Sequence, residues 1–416
     1  MPTTKTLLTL LLFLLIGNST VEAQTPLQEI MLQYRADEGS ISRFYFVENS
    51  PERRERISTL VADYQQRLGK IDFSTLDVGA RADYLLFSRD LKEENYQSKL
   101  EETEYNQIKS WIPFAEEIYA IEKSRRRGTV LDAQKLASQF TKISKQIPEL
   151  SNRLKEDISL TKPLAMRAEG AVKGLRTALK SVNEFYNGYD PLFTWWMPSP
   201  YAKLDSLLGN YAALFHNSGK GSSTQKKDES GIVGNLIGRD ELNRRLQLEM
   251  IPYTPEELVE IANKEFAWCD AEMLKASQEM GLGNDWKKAL EILKNTAVPP
   301  AQQPAEMVKL YDQSLDFIAK NKLITLPAIA TETWRMIMMT PERQKVNPFF
   351  TGGEEFSVSY PTNTMTQEQK IMSMRGNNPH FSRATVQHEL FPGHALQEFM
   401  TDRYNTHRHI RNPFWL

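Results

Sequence analysis

His388, Glu389 and His394 are the residues of this sequence best suited to chemistry, and they share one heptapeptide, HELFPGH. Two imidazoles and a carboxylate at close spacing suit a catalytic zinc centre, in which the ion keeps three protein ligands and a water. Such an ion brings the pKa of its water down to about 7. A carboxylate beside a ligand histidine can then take the water's proton and deliver it to a leaving amine. The spacing departs from the H-E-x-x-H of zinc peptidases, in which both histidines lie on one helical face. Six residues advance about 600° around a helix, so a straight helix would leave His388 and His394 some 240° apart. Pro392 alters that geometry, because it has no N–H for the carbonyl of His388 and its ring crowds the same turn. Gly393 adds backbone angles that other residues resist. The helix must break or bulge here, and a local bulge can absorb two extra residues. On this reading a metal site outweighs a chance string: His388 and His394 are zinc ligands and Glu389 is the general base.

Other candidates are weaker. Glu398 stands four residues after His394, one turn along the same helix face, and is the candidate third ligand, with a surface i,i+4 partner as its commoner role. His407 and His409 alternate in the basic run NTHRHIR, which reads as a solvated helix end; His380 and His216 carry less weight still. The single cysteine, Cys269 in EFAWCDAEM, excludes an intrachain disulfide and reads as a small packing residue beside Trp268. Nothing near it in sequence would depress its pKa. A GKGSS string resembles a phosphate loop, but Leu214 stands where the leading glycine is needed and no strand precedes it.

The elements that must position these groups are mostly helical. Among 416 residues, 40% are hydrophobic and 25% charged, with a net charge of −2, a balance of soluble globular proteins that gives no sign of nucleic-acid binding. In SPERRERISTLVADYQQRL, Ser50 reads as an N-cap and Pro51 as the first helical residue, with Ile57, Leu60, Val61, Tyr64 and Leu68 at helical spacing. In YTPEELVEIANKEF, Thr254 and Glu257 are spaced as a capping box. Further helical patterns cover 86–126, 130–158, 160–186, 201–215, 239–249, 285–295 and 304–320. Asn217 to Gly231 reads as a polar loop, and DPLFTWWMPSPY as another, whose Trp195 and Trp196 either pack a helix junction or line a peptide cleft. One stretch, near 354–360, alternates Phe356, Val358 and Tyr360 with serines, which predicts a strand just before the metal helix. It is either a simple structural hairpin or an edge that pairs with an extended substrate backbone.

At the N-terminus, Lys5 precedes the apolar run Leu7–Gly17 and then small residues, the layout of a secretory signal peptide cut after Ala23. The run is too short to span a bilayer, and no cysteine follows it for lipid attachment, so export to the periplasm or medium without a stable membrane anchor is expected.

TVQHELFPGHALQ also resembles the H-E-x-x-P-G-H-x-x-Q motif of a bacterial family labelled as a domain of unknown function, number eight-eight-five, whose largely helical members look like distant relatives of gluzincin zinc peptidases. GNLIGRDELNRRL, YTPEELVEIANKEF and RHIRNPFW are similar to further stretches of that family. The resemblance implies His388 and His394 as zinc ligands, Glu389 as catalytic base and a peptide substrate. It also implies that the PFW segment leads into a further glutamate, so the expectation is a single, mainly α, metallopeptidase-like domain over 24–416, shortened at its C-terminus. Two alternatives stay open: a non-catalytic peptide-binding protein with an incomplete metal site, and a zinc hydrolase of a non-peptide amide or ester.

Overall fold

Prolines and small polar residues start most of the helices that dominate the chain. In a computed structural model the described residues are 26–156, 160–218, 237–349, 351–352 and 355–408. The signal-peptide reading over 1–23, most of the Asn217–Gly231 loop and His409 lie outside them. The stretch read as one domain over 24–416 divides into two compact units, one ending at Ile251 and one beginning at Pro252.

The first unit holds α1 (Pro26–Phe44), α2 (Pro51–Leu68), α3 (Val78–Ile108), α4 (Ala115–Arg126), α5 (Ala133–Glu156), α6 (Lys162–Tyr186), α7 (Pro191–Trp196), α8 (Pro198–Asn217) and α9 (Arg239–Leu248). Ser50 caps α2 by accepting from the amide of Arg53, and the five apolar positions read from the pattern are all buried. They pack against α1 and α3, where Tyr34, Tyr64 and Phe87 meet edge to face with centroids 5.0, 5.4 and 6.5 Å apart. A second core joins α5, α6 and α8, whose small residues Ala165, Ala168, Ala171 and Ala178 let the helices approach closely. The single helix read over 86–126 is two, α3 and α4, separated around Pro113 by the 3₁₀ turn Lys109–Trp111. The presumed aromatic loop contains a short helix, α7: Asp190 accepts from the amides of Leu192 and Phe193, and Pro191 fills the first position. Its Phe193 is buried, while Trp195 is 80% exposed and does not pack the junction.

The second unit holds α10 (Pro255–Glu279), α11 (Trp286–Lys294), α12 (Gln303–Asn321), α13 (Ala328–Thr333), β1 (Arg335–Met338), α14 (Pro341–Val346), β2 (Glu355–Val358), α15 (Gln367–Gly376), α16 (Pro379–Glu389) and α17 (His394–Thr401). The capping box of Thr254 and Glu257 forms at the start of α10. Only Ser277 of α10 is buried, and Val259, Phe266 and Trp268 are all at least 60% exposed. Cys269 is exposed on the same helix, so it is not the packing residue its neighbours suggest. The core of this unit brings Met307, Leu310 and Tyr311 of α12 against Phe356, Val358, Val386, Leu390, Phe391 and Leu396. β1 and β2 form a two-stranded parallel sheet in the register Arg335↔Glu355 to Met338↔Val358, with α14 in the connection. A mainly α fold with a small β element is therefore what the chain adopts. Besides this parallel pairing, β2 carries one antiparallel bridge to the segment just ahead of it, and Ser357 and Ser359 are buried as fully as Phe356, Val358 and Tyr360. Ser359 meets its hydrogen-bonding need at the carbonyl of Pro348, 2.8 Å away.

In the first unit α9 is tied to α3 by Arg244, which bonds Glu241 at 2.8 Å and Glu93 at 2.5 Å. The hydrogen bond from Arg244, reinforced by Arg245 and Tyr96, holds the Glu241 carboxyl down to about 2. A carboxyl depressed by folding stabilises the folded state above its ordinary range and loses that contribution as pH falls through the folded value. Acid unfolding of the protein should therefore have a limb between about pH 5 and 2 that Glu241→Gln flattens, measured as urea midpoint against pH. An unchanged limb would show that this tie contributes no pH-dependent stability.

Candidate metal centre

α16 starts where Asn378 accepts from the amides of His380 (3.1 Å) and Phe381 (3.2 Å), with Pro379 in the first turn where no N–H is required. The residue before the cap is fully buried and anchors this end. Asn377 donates from Nδ2 to the carbonyls of Ser373 (3.1 Å) and Pro348 (2.9 Å). Gln303, at the start of α12, donates to the carbonyl of Asn377 (3.1 Å) and to Ser382 Oγ (3.2 Å). Ser382 and Val386, four apart, form the buried face of α16. His388 is exposed and Glu389 half-buried.

The helix ends where the sequence demands. Leu390 N–H still reaches the carbonyl of Val386 (2.9 Å), but its own backbone has left the helical region at φ −103°, ψ −97°. The Phe391–Pro392 peptide is cis. Phe391 is buried, and its carbonyl accepts from Ser314 Oγ of α12 at 2.7 Å. Gly393 then passes so close to the end of α16 that a Cβ on it would lie 1.7 Å from the carbonyl oxygen of His388 and 2.7 Å from that of Gln387. With φ at −77°, the need for glycine comes from this approach and not from a left-handed backbone.

Between break and bulge, the chain takes the break. His394 opens α17 and returns to His388, with ring centroids 4.8 Å apart and planes at 89°. One ligand atom from each of His388, Glu389 and His394 can be chosen so that all lie within 4.8 Å of one another. The donor chemistry, two imidazoles and a carboxylate, fits a zinc ion. Glu398 is half-buried one turn along α17 and is not part of this cluster. His380 is at the far end of α16, and His407 is buried in the 3₁₀ turn Thr406–Arg408. His216 belongs to the first unit, where its Nδ1 lies 3.2 Å from Glu169.

The small β element stands beside α16, and the contact comes from the segment ahead of β2. Thr351 bridges Ser357 antiparallel, on the opposite side of β2 from β1. The next amide, that of Gly352, donates to Glu389 Oε2 at 2.7 Å. A Cβ on Gly352 would meet that same oxygen at 2.4 Å and the Glu389 Cβ at 2.7 Å. The backbone facing Glu389 is thus Thr351–Gly352, while β1 forms the far edge. Gly352, which bonds Glu389, and Ser314, which bonds the turn at Phe391, are the site-positioning residues that sequence reasoning missed. Neither residue stands in a sequence pattern that ties it to Glu389 or to Phe391.

With this geometry in view, comparison with known proteins is informative. A family model described as "Bacterial protein of unknown function (DUF885)" matches residues 45–414. A solved structure, a "putative lipoprotein of unknown function" from Shewanella oneidensis, is similar in fold with a TM-score of 0.56 at 13% identity, over 92% of this chain and 73% of that one. No curated protein matches the chain.

Gly393→Ala cannot be accommodated without moving α17 away from α16. It should cost about 2 kcal/mol or more in urea unfolding and separate the two imidazoles. Gly352→Ala should displace the Glu389 carboxylate while leaving the histidine pair in place. Wild-type stability for Gly393→Ala would mean that the close approach is not needed.

Proposed function

This chain belongs to the bacterial DUF885 family, and we propose that it is an exported zinc-dependent hydrolase that cleaves peptide bonds with His388 and His394 as metal ligands and Glu389 as general base. The observation that carries the reading is the convergence of these three side chains across a broken helix, their ligand atoms within 4.8 Å of one another. A zinc ion held by His388 and His394 would supply a Lewis acid for the substrate carbonyl and would let water act as nucleophile at neutral pH.

The chain's own residues do the rest. Gly352 N–H fixes Oε2 of Glu389, which orients the carboxylate and leaves Oε1 to accept a proton. In hydrolysis the water oxygen bonds the scissile carbon, its proton passes to Glu389, and Glu389 returns it to the amide nitrogen as the C–N bond breaks. Export is supported by the signal-like N-terminus, and among the described residues no helix is long and apolar enough to cross a membrane.

The same cluster favours a second assignment for one group, since Glu389 lies close enough to both histidines to complete a His₂Glu ligand set itself. Glu389→Gln separates the two roles. As a base, its loss should leave zinc stoichiometry intact while peptide hydrolysis falls by roughly 10²–10⁴-fold; as a ligand, zinc is lost with activity. His388→Ala and His394→Ala should each lose both. A hydrolytically active His394→Ala protein would sink the site assignment. Zinc binding without cleavage of any peptide, amide or ester would favour a peptide-binding role.

A further inference from the structure

Gln397 lies three residues past His394, in the first turn of α17, where its amide N–H bonds the carbonyl of Gly393 at 3.0 Å. The glycine that closes against α16 therefore also sets the backbone from which Gln397 projects. Its side-chain Oε1 is 3.1 Å from His394 Nδ1. An amide oxygen only accepts, so in this contact Nδ1 carries the proton. In a neutral imidazole the other nitrogen, Nε2, then keeps its lone pair. A histidine that ligates a metal gains from such an arrangement: the acceptor on its far nitrogen fixes the tautomer and ring orientation and raises the basicity of the ligating nitrogen.

We propose that Gln397 is a positioning residue for His394, accepting from Nδ1–H so that Nε2 is the nitrogen offered to a metal ion. The inference rests on the metal reading above and adds to it which nitrogen binds and what selects it. It also gives the turn beginning at His394 a division of labour: the histidine ligates, Gln397 orients it, and Glu398 is not required. The amide in its opposite orientation would donate to Nδ1, place the ring proton on Nε2 and close that nitrogen to an ion. The two orientations make opposite demands on residue 397, since a carboxylate there can only accept.

The experiment is zinc titration of the full chain and of its Gln397→Leu, Gln397→Glu and Glu398→Gln variants, with the visible spectrum of the cobalt-substituted proteins as a second readout. Gln397→Leu should weaken zinc binding by about 10–100-fold and alter the cobalt bands. Gln397→Glu should restore affinity to the wild-type level or above, and Glu398→Gln should leave it unchanged. Circular dichroism checks that each variant is folded; Gln397 is exposed, so the changes leave the core alone. Wild-type affinity and spectrum in Gln397→Leu would overturn the proposal while leaving the metal reading intact. Weakening in Gln397→Glu equal to that in Leu would overturn it too, since the accepting orientation would be wrong. A wild-type chain that takes up no zinc overturns both.

Discussion

The arrangement of the candidate site depends on one close approach, Gly393 against the carbonyl end of α16. A helix cannot present residues six apart on one face, so the two imidazoles meet only because the chain leaves the helix and comes back. Pro392 makes the departure obligatory by withholding an N–H, and Gly393 makes the return possible by having no side chain. Everything else near the site keeps that turn in place. Ser314 satisfies the carbonyl of Phe391 inside the core, where an unpaired acceptor would be costly. Phe391 and Leu390 fill the space between α12 and the turn.

The turn's supports come from distant parts of the second unit. Gln303, Asn377 and Ser382 join the starts of α12 and α16, and Asn377 also reaches Pro348. The residues after Pro348 run towards Gly352, whose amide reaches Glu389. A buried polar network therefore sets the start of the helix that carries His388 and Glu389, and it also holds Pro348, four residues ahead of the amide that reaches Glu389. These amides specify geometry more than they add stability, since the buried Gln303 Oε1 and Asn377 Oδ1 meet no hydrogen-bond partner among the described residues.

The helical architecture was legible because it is local. Ser50, Thr254 and the apolar stripe from Ile57 to Leu68 declare themselves within a few residues, and all take the expected places. The break between His388 and His394 was legible for the same reason, since proline and glycine act on their own turn. Misreadings arose where a local pattern is overruled or is too short to show. Asp190 and Pro191 start a helix of only six residues inside what looked like a loop. Cys269 sits on a well-formed helix whose apolar positions stay exposed, and sequence reports a pattern without reporting what covers it. The Gly352–Glu389 contact joins residues 37 apart and the Ser314–Phe391 contact residues 77 apart, and neither has a sequence period to betray it.

Splitting the two histidines between α16 and α17 has a thermodynamic corollary. On an unbroken helix both imidazoles ride one rigid body, and an ion between them does little to tie the tertiary structure together. Here the imidazoles ride two helices joined by four residues, so an ion bound by both would be a cross-link that opposes the undocking of α17. Its binding free energy enters the folding equilibrium directly, as that of any ligand held only by the native state must. The link would work in both directions: whatever loosened α17 would weaken the ion's hold, and whatever removed the ion would loosen α17.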